Sequence, residues 1–125
     1  MIPKFRAWMK SLKWMCDVTN ISFDSKFVDL CQQGDTERCT EMSVGFDDIV
    51  LMQSTGLFDK NGQEIFEGDI VRVLDSTYTV FYDNERGSYR LKPHDDRWNV
   101  DYMSNFSHRG NFEVVGNIYE NKEYL

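Results

Sequence analysis

TGLFDKNGQEIFEGDIVRV, residues 55–73, is the stretch whose reading decides the fold. Leu57 and Phe58 precede an Asn61-Gly62 dipeptide, and Ile65 and Phe66 follow it. Apolar flanks around Asn-Gly are the pattern of a hairpin, because the dipeptide supplies the positive φ that a tight turn needs. Six residues on, Gly68 stands directly before Asp69 and the strand-forming run 70–73. Gly68 reads as a backbone conformation closed to residues with a side chain, and Asp69 as a carboxylate that bonds nearby N–H groups where the next strand opens. A phosphate-binding loop would instead need closely spaced glycines, a Lys-Ser/Thr end and a following helix. Asn61, Gly62, Gly68 and Asp69 are therefore read as structural turn residues.

Outward from this block the chain keeps alternating. Phe5 and Ala7 point one way, with Lys4, Arg6 and Trp8 the other; Leu12, Trp14, Cys16 and Val18 share a face of the next segment. Period-two alternation on both sides of Met9-Lys10-Ser11 predicts an N-terminal β-hairpin. Residues 21–23, 27–30, 49–52, 70–74, 77–82, 88–92 and 112–119 are further short strands, and 84–87 a turn. Residues 31–41 are polar and aperiodic, which suits a surface loop. In 93–110, Trp98, Tyr102, Met103 and Phe106 recur every three to four residues, which leaves room for one short helix. The expected fold is mainly β: a small SH3-like or other partly open barrel, built from 70–119, with the N-terminal hairpin packed beside it and at most one short helix. One domain spans 1–125, with the hairpin region over about 1–50 and the barrel-like core over about 51–125.

Composition agrees with a globular protein. Of 125 residues, 41% are hydrophobic and 28% charged, and nine Phe, six Tyr and three Trp stand against two Pro. The net charge of −7 opposes a general affinity for nucleic acid, since phosphate repels such a chain at long range. Cys16, Cys31 and Cys39 are odd in number and include no C-x-x-C pair, so neither a disulfide framework nor a zinc knuckle is expected. Arg6, Lys10 and Lys13 interrupt the N-terminus, so no signal peptide is read there, and no apolar run is long enough to span a membrane. Cys31 and Cys39 could bridge in an oxidising compartment, but nothing directs this chain there, and a cytoplasmic location with free thiols is the expectation.

Three blocks, FRAW at 5–8, LMQSTGLFDKNGQEIFEGDIV at 51–71 and VVGNIYEN at 114–121, resemble the YopX family of bacteriophage and prophage proteins in content, order and spacing. The resemblance implies a small phage-encoded cytoplasmic protein, mostly β, acting in a bacterial host. It carries no catalytic residue over to this chain.

Candidate chemistry is sparse. His94 precedes Asp95-Asp96 after Pro93, a sequence that suits a solvated turn better than a metal shell; His108 is the other histidine. Asp47, Asp48, Asp59, Glu64, Glu67 and Asp69 do not follow the spacing of a calcium loop. No catalytic residue, cofactor or metal is expected, and the chain is not read as an enzyme. Lys4, Arg6, Trp8, Lys10 and Lys13 precede the first acidic residue, Asp17, and form a candidate contact for nucleic acid or a partner. The same residues suit an edge strand whose lysines block sheet-to-sheet association while Trp8 packs inward. A non-catalytic binding or regulatory module follows, engaging a host or phage protein or a second copy of itself as a homo-oligomer. The alternative is a nucleic-acid-binding accessory protein that uses the basic N-terminal face on single strands.

Overall fold

The computed structural model describes residues 4–32, 41–95, 100–102 and 112–125. The chain is mainly β, in antiparallel sheets, and divides into two compact units, 1–53 and 54–125.

In the first unit, β1 (Phe5–Met9), β2 (Trp14–Ser22), β3 (Phe27–Gln32), β4 (Met42–Gly45) and the first half of β5 (Ile49–Phe58) lie in the order β4-β3-β2-β1-β5. The N-terminal hairpin is present, with Ala7 opposite Cys16 and Met9 opposite Trp14. Its turn is Lys10 to Lys13 rather than Met9-Lys10-Ser11, and Met9 is a buried strand residue. The reason is a longer-range tie. Lys10 N–H donates to the Asp48 carbonyl (2.8 Å), while Ser11 donates from N–H and Oγ to the two Asp48 carboxylate oxygens. Ala7, Met9, Cys16, Val28, Leu30 and Ile49 form the core. Burial, reinforced by the Asp17 charge, pushes the Cys16 thiol up and leaves it a poor nucleophile. Cys31 is disulfide-bonded, against the expectation of free thiols; Cys39 lies outside the described residues. The odd number and the spacing of the cysteines do not decide this, since a bridge depends on which Cα atoms the fold brings together.

In the second unit, β5 continues into a hairpin with β6 (Glu64–Phe66), and β7 (Asp69–Val73), β8 (Ser76–Asp83), β9 (Ser88–Pro93), β10 (Asp101–Tyr102) and β11 (Glu113–Asn117) form a sheet in the order β10-β9-β8-β7-β11. Alternation places Val71, Val73, Tyr78, Val80 and Leu91 on one face, where they pack with Ile65 and Phe112. Arg72, Thr77, Thr79 and Lys92 hold the alternate positions.

The Asn61-Gly62 turn forms as expected, with Gly62 at φ 82° and its N–H donating to the Asp59 carbonyl (3.0 Å). What holds the turn is Asp59, 4% exposed. Its Oδ1 accepts from the N–H groups of Asn61 (2.8 Å) and Gln63 (2.9 Å), and its Oδ2 from Val114 N–H on β11 (2.9 Å). Gly68 has φ 83°, and Asp69, 1% exposed, accepts Phe66 N–H at 2.8 Å through Oδ2. The expected strand over 112–119 ends at Asn117, whose Oδ1 accepts from Tyr119 and Glu120 N–H (3.0 and 2.9 Å) and so bends the chain. Gly116 is required beside it, since a Cβ there would lie 2.5 Å from Asn121 Oδ1. Helical geometry among the described residues is confined to two single 3-10 turns, Phe46–Asp48 and Lys122–Tyr124, both outside 93–110. Within 93–110 the described residues include β10; 96–99 and 103–110, with Trp98, Met103, Phe106 and His108, lie outside the described residues.

Two consequences are measurable by urea unfolding. Gly68→Ala places a Cβ at positive φ and should cost about 1 kcal/mol or more. Asp59→Asn replaces the oxygen facing Val114 N–H, or one facing the turn, with a donor, and should cost about 1–3 kcal/mol at neutral pH. Burial pushes the Asp59 carboxyl up, but the N–H groups of Val114, Gln63 and Asn61 outweigh it and hold it below its ordinary 3.8. A depressed carboxyl stabilises the fold above its unfolded value and loses that contribution as pH falls through the folded one. The gap between wild type and Asp59→Asn should therefore narrow as pH drops below 3.8.

Candidate functional site

In the first unit, the ladder between β2 and β3 slips by one residue between Val18 and Asn20. Val18 pairs with Leu30 and Ile21 with Val28, so the bulge puts Val18 and Ile21, three positions apart, on one face. Asp29 holds the slip: its carbonyl accepts from Thr19 Oγ1 (3.1 Å), and its carboxylate from Asn20 Nδ2 (3.3 Å) and Ser43 Oγ (2.6 Å). Beside the bulge is an open cavity of about 700 Å³ lined by Lys4, Phe5, Val18, Thr19, Asn20, Ile21 and Phe23. Phe23 is 71% exposed and meets Phe46 edge-on, with ring centroids 6.1 Å apart. An apolar floor with amide, hydroxyl and ammonium groups among its lining residues suits a peptide or side chain and offers no reactive group.

The expected basic face is divided by the fold. Arg6 and Trp8 alternate along β1, with Lys4 just before it, but Arg6 is 4% exposed and Trp8 half-buried. Lys10 and Lys13 lie in the turn, exposed, and Lys10 Nζ donates to the Asp47 carbonyl at 3.3 Å. Lys4 is the member of this set that lines the groove. Asn61, Gly62, Gly68 and Asp69 sit in the turns of the second unit and line neither cavity described here.

The second unit has a polar cavity of about 510 Å³ lined by Asp75, Ser76, Thr77, His94 and Asp95. His94 extends the β8–β9 ladder, its N–H donating to the Thr77 carbonyl (3.1 Å). Its ring is clasped by two hydroxyls, with Nδ1 at 2.9 Å from Thr77 Oγ1 and Nε2 at 2.7 Å from Thr79 Oγ1. A neutral imidazole has one donor and one acceptor nitrogen, so one threonine accepts and the other donates. Burial, aided by the Lys92 charge, holds His94 below its ordinary 6.5. Among the described residues, no three His, Cys, Asp or Glu side chains converge to hold a metal ion. The clasp could not be read from sequence, since it depends on Thr77 and Thr79 falling opposite residues 92–94 in the ladder.

These units define a small protein of two antiparallel sheets with an apolar groove in one and a histidine-centred polar cavity in the other. The family model described as YopX protein matches residues 4–125, and the chain belongs to the YopX family. It is similar to the crystal structure of protein EF1440 from Enterococcus faecalis, with 33% identity, a TM-score of 0.66 and coverage of 98% of this chain and 97% of that one. No curated protein matches the sequence.

His94 gives a pH prediction. A histidine whose folded value is depressed contributes stability in full above its unfolded value and loses it as pH falls through 6.5 toward the folded value. NMR titration of the His94 ring should give a midpoint below 6.5. Thermal melts should decline as pH falls through 6.5, and less so in His94→Gln.

Proposed function

We propose that this chain is a non-catalytic binding module of a phage or prophage that works in the cytoplasm of a bacterial host by engaging another protein. The observation that carries the reading is the apolar groove, held open by the β2 bulge, with Phe23 71% exposed beside it. A phenylalanine in water contributes little to the fold and much to an interface, where aromatic anchors dominate binding. The phage origin rests on the resemblance to the YopX family of bacteriophage and prophage proteins. For location, no helix among the described residues is long and apolar enough to cross a membrane, while the Cys31 disulfide pulls toward an oxidising compartment.

Single-stranded nucleic acid on the basic N-terminal face has less support. Arg6 is 4% exposed, and the net charge of −7 opposes phosphate.

Affinity capture from bacterial lysate, with nuclease treatment, tests the choice. Phe23→Ser should melt as wild type does and lose captured protein by about tenfold, the loss of one good anchor. Undiminished capture removes the groove from the reading. Retention on single-stranded DNA that falls steeply with salt would favour the nucleic-acid alternative.

A further inference from the structure

The β7–β8 hairpin ends in a two-residue turn, Leu74-Asp75, between the paired residues Val73 and Ser76. Leu74 has φ 55° and is 86% exposed. The first central position of such a turn, when φ is positive, is normally filled by Gly or Asn, because a side chain there crowds the backbone. Lys13 and Lys26 also have positive φ, but both are exposed, and a charged side chain at a hairpin tip is in its ordinary environment there. A leucine is not. It carries the backbone cost of the position and gains almost no burial from its own chain.

We propose that a second copy of this chain receives this tip: Leu74 of one molecule enters the groove of the next. The proposal rests on the reading of the groove as a protein-binding site and names its occupant. Complementarity argues for it on two counts. The groove offers Phe5, Val18, Ile21 and Phe23 to an apolar knob, and its volume of about 700 Å³ admits a leucyl side chain with the turn around it. Lys4 is the charged residue that lines the groove, and the residue after the knob is Asp75, so an ammonium meets a carboxylate where the tip enters. Knob and socket are different surfaces, so the contact is heterologous and joins molecules head to tail, into a closed ring or an open chain.

Sedimentation velocity on the full chain, from micromolar to near-millimolar concentration, tests this. Wild type should sediment faster as concentration rises. Leu74→Gly removes the knob while suiting the turn; it should melt no lower than wild type and weaken association by at least about tenfold. Phe23→Ser damages the socket at an exposed site and should do the same. An equimolar mixture of the two variants is decisive, because one still has a socket and the other a knob: it should form a dimer that grows no further. Lys4→Glu and Asp75→Lys should each weaken association, and restore it when combined in one chain. A wild type that stays monomeric throughout, or a Leu74→Gly that associates as wild type does, overturns the proposal. If wild type is monomeric while Phe23→Ser still loses capture from lysate, the second copy is wrong and the groove remains a site for another protein. If Phe23→Ser changes neither self-association nor capture, both readings fall.

Discussion

The Asp59 carboxylate sits where a hairpin turn meets the edge of a sheet, and it completes both. A carboxylate only accepts hydrogen bonds, and here it takes the N–H groups of Asn61, Gln63 and, 55 positions along the chain, Val114. Lys60 adds a backbone bond to the Phe112 carbonyl at 2.9 Å and an ion pair to Glu113 at 2.8 Å. β11 pairs with β7 on one side, and on the other the turn occupies groups that an added strand would need. An edge left open in that way invites pairing with another chain, and this one is closed by a side chain and a loop. Association through side-chain surfaces, such as a knob and a groove, is the route that this arrangement leaves to the second unit at β11.

The two turns of the 55–73 block solve their backbone problems differently from the turn that follows them. Gly62 and Gly68 meet positive φ with glycine, and Asp59 and Asp69 satisfy the N–H groups that the bends expose. At Leu74 the same backbone region is given to a bulky apolar residue in water. Local consistency is what selection for folding alone produces, and departures from it concentrate where a surface is used.

Much of the fold was legible because it rests on local rules. Asn61-Gly62 and Gly68-Asp69 encode their turns in adjacent residues, and the alternation of Phe5, Ala7 and Val71, Val73 marks strand faces without knowledge of partners. The register-dependent features were not legible. Asp59 looked like one dispersed carboxylate among several, because nothing near residue 59 points to Val114. His94 followed by Asp95 looked like a solvated turn, and only the β8–β9 ladder sets its ring between two threonines. Arg6 was placed on a basic face by alternation, but period two says which residues share a face, not which face is covered. The groove was hidden for the same reason: simple alternation assigns Val18 and Ile21 to opposite faces, and the bulge at Thr19 reverses that.

That bulge is held from three strands at once, by Thr19 and Asn20 on β2, Asp29 on β3 and Ser43 on β4. A slipped ladder costs backbone pairing, so a slip that arose only by tolerance would be expected to sit at a frayed end with little support. Here the carboxylate of Asp29 is bonded by two side chains and its carbonyl by a third, which fixes the extra residue in place. The effect is to bring Ile21 round beside Val18 and Phe5, where all three are half-buried. The slip puts both Val18 and Ile21 on the side of Val28 and Leu30, where they pack against the core of the first unit. Held by four polar side chains, the same slip leaves the outer parts of Phe5, Val18 and Ile21 as a continuous apolar lining beside Phe23, the kind of surface that a partner covers.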